Sequence, residues 1–175
     1  MKRLVATLLL TALAFTARAQ EGIPLLDQAA GRRVQFHYVY SLSQKGAGFK
    51  DITDGNVTVE DNAYVLEGLG LKVISNGSTR WSMDEGAGEL VIENVEKEDL
   101  FTNPALFISS YRKYMSKIQV NAQGPSSLDV TLTLDDETRA RFVLRDVVFM
   151  EPQGKSDFSF DEKSLAGDYV ITDLR

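Results

Sequence analysis

Few side chains in this sequence are equipped for chemistry, and their spacing argues against catalysis. His37 is the single histidine. It lies in the middle of an alternating segment, on the side opposite the aromatic residues. A histidine-based triad needs a nucleophile and a carboxylate converging on the ring, and no motif around His37 supplies them, so a surface or half-buried strand residue is expected. The chain contains no cysteine, which removes disulfides and thiolate metal sites. The acidic runs Glu96-Lys97-Glu98-Asp99 and Asp135-Asp136-Glu137 lack the ligand spacing of a calcium or zinc site and read as solvated loops. There is no phosphate-cradling glycine loop and no nucleophile elbow. Asn56-Val57-Thr58 and Asn76-Gly77-Ser78 match the N-glycosylation pattern, but the second is better explained as a hairpin turn, with both central residues at positive φ. The expectation is a protein that is not an enzyme and has no metal and no cofactor.

What the chain does offer is apolar surface at regular spacing. Arg32–Ser43 places Val34, Phe36, Tyr38, Tyr40 and Leu42 on one face, a strand with an aromatic side. Further strands are expected around Gly55–Val59 and over Ala63–Leu69, Leu71–Ser75, Thr79–Met83 and Glu89–Val95. After these come Lys117–Ala122, Ser127–Leu134, Thr138–Met150, Asp157–Asp161 and Tyr169–Leu174. Val147-Val148-Phe149 breaks its strand's alternation, which predicts a bulge or a doubly buried segment. Ile23, Leu25, Leu26 and Ala29 suit a short amphipathic turn between Pro24 and Gly31. The one long helical pattern is Phe101–Met115, with Phe107, Ile108, Tyr111, Tyr114 and Met115 on one face, Asn103 as cap and Pro104 in the first turn. The fold expected is mainly β (α+β): a curved, incomplete antiparallel β-barrel of about ten or eleven strands with a helical lid.

If the strands are in register, one sheet face presents Phe36, Tyr38, Tyr40, Tyr64, Leu66, Leu71, Val73, Trp81, Leu90, Ile92, Leu132, Phe142 and Leu144, and the helix adds Phe107, Ile108, Tyr111 and Met115. Two readings stand side by side. These residues close a core, as most apolar faces do, or they line a cavity for an acyl chain, whose burial contributes about 0.8 kcal/mol per CH₂.

The N-terminus bears on where such a cavity would work. Lys2 and Arg3 precede the apolar run Leu4–Phe15 and then Ala17-Arg18-Ala19, the pattern of a secretory signal peptide cleaved after Ala19. That run is shorter than the roughly 20 residues of a membrane span. Residues 20–175 then form a single domain. Without Lys2, Arg3 and Arg18, the 19 basic residues fall to 16 against 25 acidic ones, a formal charge of −9. A surface of that sign is unsuited to phosphate backbones, so nucleic acid is not an expected partner. Export without cysteine fits a bacterial periplasm, and a lipid-anchored lipoprotein would need a cysteine at the cleavage point.

The order of features resembles a known family. The aromatic-faced strand Val34–Leu42, the hairpin Val73-Ile74-Ser75-Asn76-Gly77-Ser78-Thr79-Arg80-Trp81 and the helix opening Asn103-Pro104-Ala105-Leu106 follow one another. The end reads Asp157-Phe158-Ser159-Phe160, then Gly167-Asp168-Tyr169-Val170-Ile171. Together they resemble the LolA-type periplasmic carriers of outer-membrane lipoproteins. The resemblance implies an unclosed barrel, capped by helices, that binds the acyl chains of lipoproteins. It also implies an inner-membrane lipoprotein-releasing transporter as donor, an outer-membrane acceptor, and a monomeric carrier. The Trp81 hairpin and the helix around Phe107 match the family's barrel and lid regions. The family often carries an Arg-Pro after its second strand, whose arginine helps hold the lid; here that place reads Glu60-Asp61-Asn62-Ala63. The alternative is a non-enzymatic envelope interaction or sensor module built on the same half-barrel.

Overall fold

Side-chain alternation is converted into one continuous sheet. The computed structural model describes residues 22–45, 47–95, 103–135, 137–165, 167 and 169–175. The expected signal peptide, the acidic connector Glu96–Asp99, Phe101, Asp136 and Asp168 lie outside the described residues. A single helical turn, α1 (Pro24–Asp27), precedes a six-stranded meander: β1 (Arg33–Gln44), β2 (Lys50–Glu60), β3 (Ala63–Gly68), β4 (Leu71–Ser75), β5 (Thr79–Asp84) and β6 (Glu89–Asn94). Helix α2 (Pro104–Ser110) runs into a 3-10 segment, Tyr111–Lys117. Then come β7 (Ile118–Gln123), β8 (Leu128–Thr133), β9 (Thr138–Met150), two 3-10 turns at Lys155–Phe158 and Glu162–Ser164, and β10 (Val170–Asp173).

The ten strands are ordered β10-β6-β5-β4-β3-β2-β1-β9-β8-β7. Neighbours are antiparallel except β10, which runs parallel to β6. Strands β7 and β10 are the two edges, so the sheet does not close. The fold is therefore mainly β, with an open, mostly antiparallel sheet and few helices, as an incomplete barrel requires.

Glycines and bulges shape the sheet. A Cβ at Gly55 would lie 2.3 Å from the Glu67 carbonyl oxygen, and one at Gly68 would lie 2.1 Å from that of Asp54. Only glycine permits β2 and β3 to come this close. In β9, Asp146 adopts φ +54 where the pairing with β1 slips between Gln35 and His37. This is the bulge expected near Val147: it turns Val147 into the core and leaves Val148 exposed.

Three local expectations are corrected. The Phe101–Met115 pattern is not one α-helix; the α-helix stops at Ser110 and tightens to 3-10 geometry, which brings residues i and i+3 into line and points Tyr111 at α1. The Asn76-Gly77 turn has positive φ at Gly77 alone (φ +88), and Asn76 closes it by accepting from the Ser78 and Thr79 amides, both at 2.9 Å. Paired positive φ occurs instead at Leu69 (+55) and Gly70 (+79) between β3 and β4. Asp157–Asp161 is not a strand. That segment is anchored by side chains instead: the Glu60 carboxylate accepts from the Gln153 and Gly154 amides at 3.0 and 2.8 Å, and Arg33 donates to Asp157 at 2.7 Å while its guanidinium lies 5.1 Å from the centre of the buried Phe158 ring.

The apolar residues form two cores on opposite faces. The larger unites α1, α2 and the inner face of β1–β3 and β8–β9, including Val34, Val57, Val59, Leu128 and Val130. The smaller lies on the outer face of β4–β6 and contains Ile74, Trp81, Met83, Leu90 and Ile92, with Phe160, Leu165 and Tyr169 of the C-terminal segment packed over it.

Candidate apolar binding site

Strand register decides which of the expected residues meet. Val57 pairs with Phe36 and with Leu66, and Leu66 pairs with Val73. Directly paired residues share a face, so Phe36, Tyr38, Tyr40, Tyr64, Leu66 and Val73 point inward. Phe142 and Leu144 join them from β9 and Leu132 from β8. Leu71 is on the same side but at the rim, 43 % exposed.

Trp81, Leu90 and Ile92 are not part of this face. Trp81 pairs with Ile74 and Ile92, and Met83 pairs with Leu90, while Val73 pairs with Ser82. One residue of parity separates the two sets, and that places all three on the outer face. The Trp81 indole donates to Glu162 Oε1 at 3.0 Å, fastening the C-terminal segment. On the inner face, β5 and β6 instead present Arg80, Ser82 and Glu93, with Arg80 and Glu93 paired at 2.9 Å.

The helix fills the hollow of the larger core. Asn103 caps it by accepting from the Leu106 amide at 3.0 Å, and Pro104 occupies the first turn. Phe107 is 1 % exposed and stacks on Phe142, with ring centres 4.4 Å apart and planes 12° apart. Ile108 and Tyr111 are buried beside it; Met115 and Tyr114 are half-buried against the same core.

A polar clasp fixes the 3-10 segment to α1. The Tyr111 hydroxyl donates to Asp27 Oδ1 and accepts from the Ile23 amide at 3.1 Å. Arg112 pairs with the same carboxylate at 2.6 Å. The Tyr111 hydrogen bond, and after it Arg112, holds the Asp27 carboxyl below its ordinary range; burial, and then Asp27, pushes the Tyr111 phenol up. The Glu60-Asp61-Asn62-Ala63 stretch serves two places. Glu60 faces outward and holds the C-terminal segment, while Asp61 and Asn62 border a cavity.

Two cavities flank the helix. The larger, about 520 Å³, lies between α1, the Ile108–Arg112 stretch and the β2–β3 turn, over a floor of Leu26, Val34, Val59 and Ile108. The smaller, about 150 Å³, lies towards the β3–β4 turn between Tyr38, Tyr40, Leu66, Val73 and Pro104, with Ile52, Leu69 and Leu71 at its lip. Small-molecule sites occupy about 300–1,000 Å³, so the larger cavity is of ligand size as it stands and the smaller is not.

Sequence reasoning left Val57, Val59, Leu128 and Val130 out of the site although their alternation was visible. Ile52 and Leu69 carried no signal, since one is the extra residue where β1–β2 pairing slips and the other is in a turn. His37 lies on the outer face with Nε2 2.8 Å from Asp54 Oδ1. Among the described residues no group of three potential metal ligands converges. The chain matches no protein-family model and no curated protein. Chemically, the inner face offers apolar burial over β1–β3 and β8–β9, with polar and charged groups at the rim of the larger cavity and on β5–β6.

Proposed function

We propose that this chain is a periplasmic carrier that buries the acyl chains of lipoproteins against its inner sheet face and delivers them towards the outer membrane. In this reading α2 and the Tyr111–Lys117 segment are the lid, the donor is an inner-membrane lipoprotein-releasing transporter, the acceptor is in the outer membrane, and the carrier acts as a monomer. It needs no catalytic residue and no cofactor. One observation carries the proposal: α2 lies between two cavities, a larger one with an apolar floor and a charged rim, lined by Ile108, and a smaller apolar one lined by Pro104. Lifting the helix would merge them into a trough running from Val34 to Tyr40, about 20 Å of strand. The Asp27–Tyr111–Arg112 clasp takes the part that the family assigns to its arginine.

Native mass spectrometry of the protein with a triacylated peptide at micromolar concentration tests this. A complex is expected with wild type and with Trp81→Phe, because Trp81 is on the far face. Phe107→Asp and Tyr111→Asp are expected to lose the ligand while the sheet, read by circular dichroism, persists. Absence of any complex with wild type sinks the proposal.

The stacking of Phe107 on Phe142 favours a second reading, a non-enzymatic interaction or sensor module whose inner face is permanently filled. Loss of the whole fold in Phe107→Asp, with no acyl binding by wild type, would select it.

A further inference from the structure

Tyr38 lines the smaller cavity, and its hydroxyl, itself fully buried, is one that the fold does not use. Tyr38 is 2 % exposed, and its hydroxyl has no hydrogen-bond partner among the described residues. Other core tyrosines differ: Tyr111 bonds to Asp27 and Ile23, and Tyr64 to Arg80. A buried hydroxyl without a partner opposes folding, and phenylalanine would pack the same space without that penalty. Among the described residues, the cavity wall around Tyr38 contains no charged side chain. Its lip is unusual as well. Leu69 stands 69 % exposed at φ +55, a conformation that bulky residues rarely adopt, and Ile52, the extra residue of the β1–β2 slip, is also exposed.

Building on the acyl-carrier reading, we propose that Tyr38 is the residue that selects the ligand's polar linkage: its hydroxyl, covered at rest, donates to the carbonyl oxygen of an acyl ester or amide that enters the smaller cavity as α2 lifts, between Tyr40, Leu66 and Val73. A free fatty acid is disfavoured, because a carboxylate would enter an apolar space with no cation in its wall. A hydrocarbon without a carbonyl leaves the hydroxyl as it was. Burial keeps the phenol protonated far above neutral pH, so the donor is always present. The ligand therefore enters this end with its ester or amide and runs its tail under α2 towards the larger cavity.

The test uses wild type and Tyr38→Phe, titrated with methyl palmitate and with hexadecane, each delivered from cyclodextrin. Methyl palmitate is expected to bind Tyr38→Phe about 5- to 10-fold more weakly, the worth of one hydrogen bond, and hexadecane to bind both proteins alike. The ligand-free variant is expected to melt at the wild-type temperature or above it. Repeating the titration with a triacylated peptide and with a diacyl phospholipid identifies the ester's source, as whichever reproduces the loss. Equal binding of methyl palmitate by both proteins, or a lowered melting temperature in the variant, overturns the role of Tyr38 and leaves the carrier reading standing. Failure of wild type to bind either probe overturns both.

Discussion

Arg33 and Glu60 are both buried, an unusual state for a charged pair, and they hold the outer face together. Their side chains approach at 3.7 Å, and Glu60 also receives two backbone amides from the C-terminal segment. Removing one member leaves an uncompensated buried charge. Glu60→Ala is therefore expected to destabilise the protein by about 3–5 kcal/mol, measured by urea unfolding. Phe107→Ala empties the stack on Phe142 and is expected to cost about 3–5 kcal/mol in the same assay. Asp27 gives a pH signature. Its folded carboxyl titrates below the ordinary value of 3.8, so its contribution is complete above that value and is lost as pH falls through the lower, folded one. Asp27→Asn is expected to flatten this acid limb of the stability profile while leaving its shape near neutrality unchanged. The clasp was not legible in the sequence: Asp27 and Tyr111 are 84 positions apart, and neither belongs to a motif.

At the scale of elements, the close approach of β2 and β3 predicts that Gly55→Ala and Gly68→Ala both destabilise strongly, because a methyl group would meet rigid backbone. Gly48→Ala, with open space around it, serves as the control, and thermal melts of the three variants decide the matter. The C-terminal segment behaves as a strap. It is tied at Arg33 and Glu60, covers Trp81 with Phe160, Leu165 and Tyr169, and ends as β10 beside β6, where the Val170 and Leu174 amides donate to Gly88 and Ile92. Trp81 is the sole tryptophan. Phe160→Asp is expected to loosen the strap and shift Trp81 emission to the red, without reducing the acyl binding proposed for the opposite face. A variant that shifted emission and abolished binding together would contradict the separation of the two faces.

At the scale of the molecule, one sheet serves two cores. In β4, Val73 packs into the inner core and its neighbour Ile74 into the outer one. Neither core can dissolve without disturbing the shared strand, so Trp81 fluorescence and far-ultraviolet circular dichroism are expected to report a single coincident urea transition. Two separated transitions would mean that the strap and outer core unfold as an independent unit.

The sequence by itself determined the ten strands, though it added one at Asp157–Asp161 that does not form, together with the meander, the capped start of α2 and the aromatic face of β1, because alternation, turn residues and caps act over a few neighbouring positions. It also identified most of the inner apolar set. Only the tertiary structure decided that Trp81, Leu90 and Ile92 belong to the other face. A strand with apolar residues at alternate positions does not state which side of the sheet they occupy; that follows from pairing, and a slip of one residue reverses it. The outer core further needs a cover, supplied by a segment some eighty positions away, with Glu162 bonded to Trp81. Which hydroxyl finds a partner and which does not is likewise a matter of packing: Tyr111 and Tyr38 look alike in the sequence, and only the folded chain brings Asp27 to one and leaves the other beside an apolar cavity.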